Sequence, residues 1–237
     1  NCAYENVYTL ALRGLHDRAM NASNDMGDRK DMLQEALMAQ RQMLIDAIGK
    51  PGEEIPQAFT PYKEVLDVYD EGLELPDDVT IIWPDDNYGY MKRLSSPKEQ
   101  KRSGRSGVYY HSSYLGKPHD HLWMNTISPT LMYEELRKAY DATADRIWLL
   151  NAGDIKSCEF AVDYFLTMAF DIDSFNFERA ANYRTEWLCG MLGDQYRNEY
   201  QDVVNSFYKL AFARKPEFMG WGYQWTTDKH GRERNTD

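Results

Sequence analysis

The sequence predicts an α/β protein built around a parallel sheet and followed by the start of an all-α region. Three observations predict this fold class. Five short runs of strand-forming apolar residues recur before residue 151, helical segments lie between them, and strand signals stop after residue 173. Strands that alternate with helices in this way form right-handed βαβ units around a parallel sheet.

The five predicted strands are continuous in apolar residues and do not alternate between apolar and polar positions. Strands that are buried on both faces of a parallel sheet have this pattern, because helices cover both faces. The predicted strands are residues 7–12, 57–60, 79–83, 108–110 and 146–150.

The helical segments carry apolar residues at helical spacing. Residues 28–48 stop at Gly49 and Pro51, which is a common way for a helix to end. Residues 129–140 repeat the pattern, and residues 157–170 predict a more apolar helix. An open doubly wound sheet and part of an eight-stranded barrel both fit these elements. No glycine-rich turn follows any predicted strand, which disfavours a nucleotide-binding doubly wound domain.

The later sequence changes character. Residues 175–214 show only helical periodicity, residues 216–225 are aromatic and glycine-rich, and the remainder is polar. We therefore expect three parts: a parallel α/β part at residues 1–173, the start of a helical domain at 174–225, and a polar tail at 226–237.

Composition excludes some classes of partner. The formal net charge is −11, so a nucleic-acid backbone would be repelled, and no apolar stretch has the length of a membrane span. Three scattered cysteines form neither a disulfide framework nor a zinc motif. They leave the compartment open, and a periplasmic or extracellular location is our expectation.

Polar residues follow every predicted strand. The carboxyl ends of parallel strands meet at one edge of the sheet, where ligands bind. Carboxylates, amides and aromatic rings in this position suit a sugar, because they bind hydroxyl groups and pack on pyranose rings. The candidates after the first four strands are Arg13 and Asp17, Tyr62 and Glu64, Asp85 and Asn87, and His111 and Tyr114; Asn151 and Asp154 follow the fifth.

Several of these candidates have a plain structural alternative. Arg13 could form an ordinary ion pair with Asp17, or it could clamp a substrate carboxylate with its planar guanidinium. Glu64 could stabilise a helix start, or it could donate a proton if a cleft beside Tyr62 favoured its neutral form. Asp86 is interpreted as a local cap, which leaves its neighbours on either side to face the site.

A metal site is disfavoured. His119 and His121 flank Asp120 in a loop, and only His111 stands at a strand end. Three histidines with this arrangement do not have the spacing of a typical metal centre. We expect no metal ion and no organic cofactor.

Several segments resemble the α-glucuronidases of glycoside hydrolase family 115. The similar segments are YTLALRGLHD, IPQAFTPYKEVLDVY, WPDDNYGYMKRL, RSGRSGVYYHSSYLGKPHDHLWMNTISP, RIWLLNAGDIKSCEFAVDYFL and RKPEFMGW. WPDDNYGY and YYHxSYxGxPHD are specific in combination, since neither is a common surface motif. The resemblance extends over most of the chain.

The resemblance implies a fold and an activity. Enzymes of this family remove glucuronic acid, often 4-O-methylated, from α-1,2 linkages on xylan with inversion at the anomeric carbon. Their (β/α)8 barrel is followed by a helical domain, and many are homodimers. By this likeness, residues 1–173 would supply about five βα units from the later part of the eight-unit barrel, and glucuronoxylan or its oligosaccharides would be the substrate.

The resemblance also implies two catalytic residues. Glu64 matches the proposed general acid, with Tyr62 beside it, and Arg13 and Asp17 match the arginine and the essential aspartate of the family's RGxxD segment. An inverting hydrolase uses one carboxyl as acid and a second carboxylate that activates water. Asp17 is our candidate base, although acidic residues elsewhere in the barrel could replace it.

The remaining matches imply substrate contacts. Asp85 and Asn87 match a DxN pair that holds the uronic acid, and His111 and Tyr114 match sugar-contacting positions of YYHxxY. About five of the eight strands that a barrel needs leave exposed sheet edges, so we expect the isolated chain to be inactive. Two alternatives stay open: a non-catalytic carbohydrate-binding segment, and a barrel hydrolase for a different uronic acid glycoside.

Overall fold

A computed structural model describes residues 4–14, 18–23, 25–116, 120–122 and 125–218, without the side chains of Ser157 and Glu217. Five strands form one sheet in the order β1-β2-β3-β4-β5. Each strand overlaps one of the five runs that the sequence predicted. The strands are β1 (Tyr8–Leu10), β2 (Gln57–Phe59), β3 (Thr80–Pro84), β4 (Ser106–His111) and β5 (Trp148–Asn151).

The sheet is parallel, and its strands follow one another in chain order. β1 pairs with β2, β2 with β3 and β3 with β4 in parallel register. The N–H of Val108 donates to the carbonyl of Ile147, and the N–H of Ser112 donates to the carbonyl of Asn151. The second bond lies four residues after the first on both segments, so β4 and β5 run in the same direction. A doubly wound sheet reverses its strand order at a switch point. Consecutive order excludes that alternative and agrees with part of a (β/α) barrel.

Six α-helices complete the fold of the described residues. The three helices predicted before residue 173 are present, and the helical region after it forms two helices. A short helix begins at Glu64, which is one of the two positions that the sequence analysis considered for this residue. The helices are α1 (Met26–Ile48), α2 (Glu64–Asp70), α3 (Pro129–Asp141), α4 (Ile155–Phe170), α5 (Phe177–Leu192) and α6 (Arg197–Ala213).

Both ends of helix α1 are capped by residues that are typical of helix ends. The Asp25 side chain accepts the N–H of Asp28 at 3.1 Å, which satisfies one of the unpaired donors of the first turn. At the other end, Gly49 adopts φ 73° and donates its N–H to Ile45. Glycine adopts this left-handed conformation without the steric penalty of a β-carbon, so the helix stops there.

The chain divides into two compact units that interleave along the sequence. The first unit contains Asn1–Pro84, Arg93–Tyr109 and Ala139–Trp148. Its core joins the strands to helices α1 and α2. The buried residues of this core are Leu10, Met20, Leu33, Leu37, Phe59, Val65, Val68, Leu73 and Val79.

The second unit contains Asp85–Lys92, Tyr110–Lys138 and Leu149–Asp237. An aromatic cluster forms its core: the Tyr164 ring packs edge-on against Phe175 and Tyr183, and its hydroxyl donates to the Pro129 carbonyl at 2.8 Å. Burial raises the pKa of Tyr164, so the phenol stays neutral. The expected domain boundary at residue 173 stays a prediction. Within the described part of the chain, no helix combines the length and apolarity needed to cross a membrane.

Candidate functional site

The predicted site residues form two groups, each inside one compact unit. Arg13, Tyr62 and Glu64 belong to the first unit, where they follow β1 and β2. Asp85, Asn87, His111 and Tyr114 belong to the second unit, where they follow β3 and end or follow β4. Asp17, the candidate base, lies outside the described residues.

Arg13 and Glu64 form a two-point ion pair. The guanidinium Nε and Nη2 each lie 3.1 Å from a different oxygen of the carboxylate. The two side chains are 21% and 20% exposed, so the pair is sheltered without being sealed from solvent. Parallel N–H···O bonds of this kind are strongest to an ionised carboxylate and add geometric specificity to the pairing.

Tyr62 forms the aromatic wall beside this ion pair. The Arg13 guanidinium lies 5.5 Å from the centre of the Tyr62 ring, and the Lys63 ammonium lies 5.2 Å from it. The edge of Tyr109 meets the same ring at 5.8 Å. Cations are attracted to the negative face of an aromatic ring. Two cations therefore lie against the Tyr62 ring, and one of them, Arg13, also binds the Glu64 carboxylate, in an environment that suits an anionic ligand.

The backbone at this point is strained. Lys63 has φ 52° and ψ −122° immediately before helix α2. A side chain with a β-carbon rarely adopts positive φ, and such conformations cluster at sites where the fold needs a particular side-chain placement. Tyr62 and Glu64 lie on either side of Lys63 in the sequence, and both contact Arg13.

Asp85 and His111 form a buried pair in the second unit. One Asp85 oxygen accepts the His111 backbone N–H at 3.0 Å, and the other lies 2.6 Å from His111 Nδ1. The two side chains are 0% and 1% exposed. An ionised carboxylate can only accept hydrogen bonds, so Nδ1 carries a proton. Asp85 therefore sets the orientation of the His111 ring.

The turn after β3 is held by its own aspartates. Asp85 also accepts the N–H of Asn87 at 3.0 Å. Asp86 accepts the N–H groups of Tyr88 at 2.8 Å and Tyr90 at 3.1 Å, which confirms its interpretation as a local cap. Asx turns of this kind fix the backbone of short loops.

Tyr114 packs behind His111. Its ring meets the His111 ring edge-on at 5.7 Å, and it is 7% exposed. Its backbone forms an antiparallel bridge with His121, with hydrogen bonds of 3.0 and 2.9 Å. The loop after β4 thus returns on itself at these two residues.

His121 is a member of this group that the sequence did not reveal. It was considered only as a metal ligand, yet its Nε2 lies 2.6 Å from the Asn87 carbonyl and it is 1% exposed. Burial lowers the pKa of His121 to about 4, so the ring is neutral near pH 7. No sequence signal pointed to this contact, because it joins residues 34 positions apart in two loops.

The described ranges contain no cluster of three or more histidine, cysteine, aspartate or glutamate side chains that could hold a metal ion. They contain two groups of polar and aromatic side chains. One is a guanidinium and a carboxylate beside an aromatic ring, and the other is an imidazole held by an aspartate beside a tyrosine. Both suit a ligand with hydroxyl and carboxylate groups. The catalytic and binding roles of the individual residues stay predictions.

Comparison with known proteins agrees with the resemblance seen in the motifs. The family model of glycosyl hydrolase family 115 matches residues 1–218. Among solved structures, the chain is similar to BtGH115A, a family GH115 4-O-methyl-α-glucuronidase with specificity for decorated arabinogalactans, with a TM-score of 0.86 and 42% sequence identity. The match covers 90% of this chain and 28% of that one. The curated proteins give no match. The chain belongs to glycosyl hydrolase family 115.

Proposed function

We propose that the complete protein, as a member of glycosyl hydrolase family 115, removes glucuronic acid or 4-O-methylglucuronic acid from α-1,2 linkages on xylan with inversion. The observation that supports this proposal best is the Arg13–Glu64 pair. Arg13 already holds a carboxylate at two points, and a uronic acid carries the same group.

Substrate binding would then exchange one carboxylate for another. The uronate takes the place of Glu64 on the Arg13 guanidinium, and Tyr62 offers its ring to the sugar. Arginine suits this exchange because its planar fork matches any carboxylate, whereas a lysine would supply only a point charge. Neutral sugars lack the group that displaces Glu64, so they would leave the ion pair closed.

Glu64 becomes a general acid only after that exchange. An ionised carboxylate must take up a proton before it can donate one to the glycosidic oxygen, and separation from Arg13 together with exclusion of water favours the neutral form. The displaced carboxyl would then protonate the leaving oxygen while a second carboxylate activates water on the opposite face of the sugar. We assign this second role to Asp17 on the resemblance alone.

We assign contacts with the uronic acid to residues of the second unit on the resemblance alone. Asp85 fixes both the His111 ring and the Asn87 backbone, so we assign it the support of the site. The Asn87 amide and the His111 imidazole would bind sugar hydroxyls, and Tyr114 would limit the position of the ring. No step of this mechanism requires a metal ion or an organic cofactor.

A second substrate deserves the same test, because the similar protein BtGH115A has specificity for decorated arabinogalactans. We assign recognition of the linkage and of the polysaccharide main chain to residues other than Arg13 and Glu64. Both residues would therefore serve either substrate. Parallel assays of the complete protein on glucuronoxylan oligosaccharides and on a glucuronic-acid-bearing arabinogalactan decide between the two. Preference for arabinogalactan would replace xylan in the proposal.

The stereochemistry has a direct test. Proton NMR of the reaction in its first minutes identifies the anomer released from an α-linked substrate. Inversion predicts that the β-anomer appears first and then equilibrates. Initial release of the α-anomer would contradict the roles proposed for both carboxyls, and binding of oligosaccharides without any release would favour a carbohydrate-binding segment.

A further inference from the structure

The backbone of Asn87 is held at both of its polar groups. Asn87 has φ 73°, in the left-handed region that asparagine tolerates better than most side chains. Its N–H donates to Asp85, and its carbonyl lies 2.6 Å from Nε2 of His121. A carbonyl has no proton to give, so Nε2 carries the hydrogen and donates it.

His121 is itself fixed by its surroundings. Its backbone bridges that of Tyr114, and its ring lies 5.3 Å from the ring of Tyr88 with a tilt of 34°. Its Nδ1 is buried and makes no hydrogen bond to any residue that the structure describes. A neutral ring with the proton on Nε2 is the form that this environment accepts, and that form can only donate toward Asn87.

We propose that His121 is a positioning residue, which holds the Asn87 carbonyl and so sets where the Asn87 amide meets the substrate. The inference rests on the proposed role of Asn87 in uronic acid binding. His121 ties the turn after β3 to the loop after β4, because the same residue bonds to Asn87 and bridges Tyr114. The relative position of the two proposed substrate-binding loops is thereby fixed.

Variants of the complete protein test this role. His121→Phe keeps a ring against Tyr88 but removes the donor. His121→Gln keeps an amide donor at a reach close to that of Nε2, and His121→Asn carries the same amide on a shorter stem. We expect His121→Phe and His121→Asn to lower kcat/KM for a glucuronide by about tenfold or more, since small displacements of a binding group are costly. His121→Gln should restore most of the loss.

A double-mutant cycle separates positioning from simple destabilisation. If His121 acts through Asn87, adding His121→Phe to Asn87→Ala should cost little further kcat/KM, because the group that it positions is already gone. Tyr164→Phe is the matched control. It also removes a buried side-chain donor from a backbone carbonyl of the second unit, and it should lower the melting temperature without changing kcat/KM.

The outcomes are distinct. The positioning role would be overturned if the fold-loss in kcat/KM of the double variant equalled the product of the two single losses. It would also be overturned if His121→Phe kept the wild-type kcat/KM; in both cases the proposed function stands. Should His121→Phe not fold, the comparison of His121→Gln with His121→Asn gives the same decision. A wild-type enzyme that releases no glucuronic acid would overturn the proposed function and this inference with it.

Discussion

Arg13 binds Glu64 through two hydrogen bonds of 3.1 Å, so the residue proposed to hold the substrate carboxylate contacts the residue proposed as the acid. The two residues lie 51 positions apart and follow neighbouring strands of the sheet. In the proposed function, one side chain would therefore link recognition of the uronate to the protonation state of the acid.

Replacement of Arg13 should remove the preference for charged substrates. We expect Arg13→Ala to lower kcat/KM on glucuronides by about a hundredfold or more, since the loss of a charge-assisted two-point contact costs a few kcal/mol. The kcat/KM of Arg13→Lys on glucuronides should lie between those of the wild type and Arg13→Ala, because lysine keeps the charge but lacks the planar fork of the guanidinium. Kinetics on paired glucuronide and glucoside substrates measure the preference.

Arg41 provides the control for this experiment. It forms a similar two-point pair with Asp78 in the same unit, at 2.8 and 3.0 Å, and Asp78 precedes β3 instead of following it. Arg41→Ala should lower stability and leave the substrate preference unchanged. Equal losses on charged and neutral substrates in Arg13→Ala would show that Arg13 is not a carboxylate clamp.

Replacement of Glu64 should separate hydrolysis from binding. Glu64→Gln keeps the size of the side chain but cannot donate an acidic proton, so kcat should fall by about a hundredfold or more. Isothermal titration with oligosaccharides should still detect binding, because a neutral amide competes less strongly for Arg13 than the Glu64 carboxylate does. Unchanged turnover in this variant would end the assignment of Glu64 as the acid.

The two adjacent aspartates should respond differently to the same change. Asp85→Asn removes the carboxylate that orients the buried His111 ring, and a hydrogen bond to a charged group typically contributes about 1.5–3 kcal/mol. Asp86→Asn keeps an oxygen that can accept the N–H groups of Tyr88 and Tyr90, so its effect should be small. Denaturation and kcat/KM of both variants test this; equal effects would argue against a special role for Asp85.

Acid should destabilise the protein through His121. The pKa of His121 is lowered by burial from 6.5 to about 4 in the folded state. As the pH falls through this interval, the unfolded chain binds a proton that the folded chain does not, so stability decreases as the pH drops. The largest contribution is about 3 kcal/mol.

Chemical denaturation at pH 7 and pH 5 measures this contribution. The difference between the two pH values should be larger in the wild type than in His121→Phe, which has no ionisable ring. The hydrogen bond to the Asn87 carbonyl acts against burial by favouring the protonated ring, and the charge of Lys215 acts in the same direction as burial. An identical pH dependence in both proteins would show that His121 is not buried in the neutral form.

The isolated 237-residue chain should release no glucuronic acid. It spans 28% of the similar solved structure, and large apolar side chains of the helical segments are open to solvent, such as Phe170 at 94% and Phe212 at 76%. Surfaces of this kind favour association with other apolar surfaces. Activity assays and light scattering on the purified chain test both expectations, and measurable release by a monodisperse sample would contradict them.

Much of the fold could be predicted from local sequence. The apolar run before Pro84 and the helix that stops at Gly49 are specified by residues within a few positions of each other, since strand and helix periodicity and end signals are local properties. The placement of Glu64 at the start of α2 was left open, because a helix of seven residues gives little periodic signal.

Contacts between loops could not be predicted in the same way. Arg13 binds Glu64 across 51 positions of sequence, whereas the alternative of an ion pair with Asp17 falls outside the described residues and stays a prediction. His121 carried no signal at all for its bond to Asn87. Such contacts depend on which loops the sheet brings together.

By itself, the sequence determined the α/β class, the five strands, the helices that follow them and the polar residues at the strand ends, because each of these depends on side-chain pattern over a short range. Only the tertiary structure decided that Arg13 pairs with Glu64, that Asp85 fixes His111 and that His121 holds Asn87. These pairings depend on the order and direction of neighbouring strands, which bring distant loops to the same edge of the sheet.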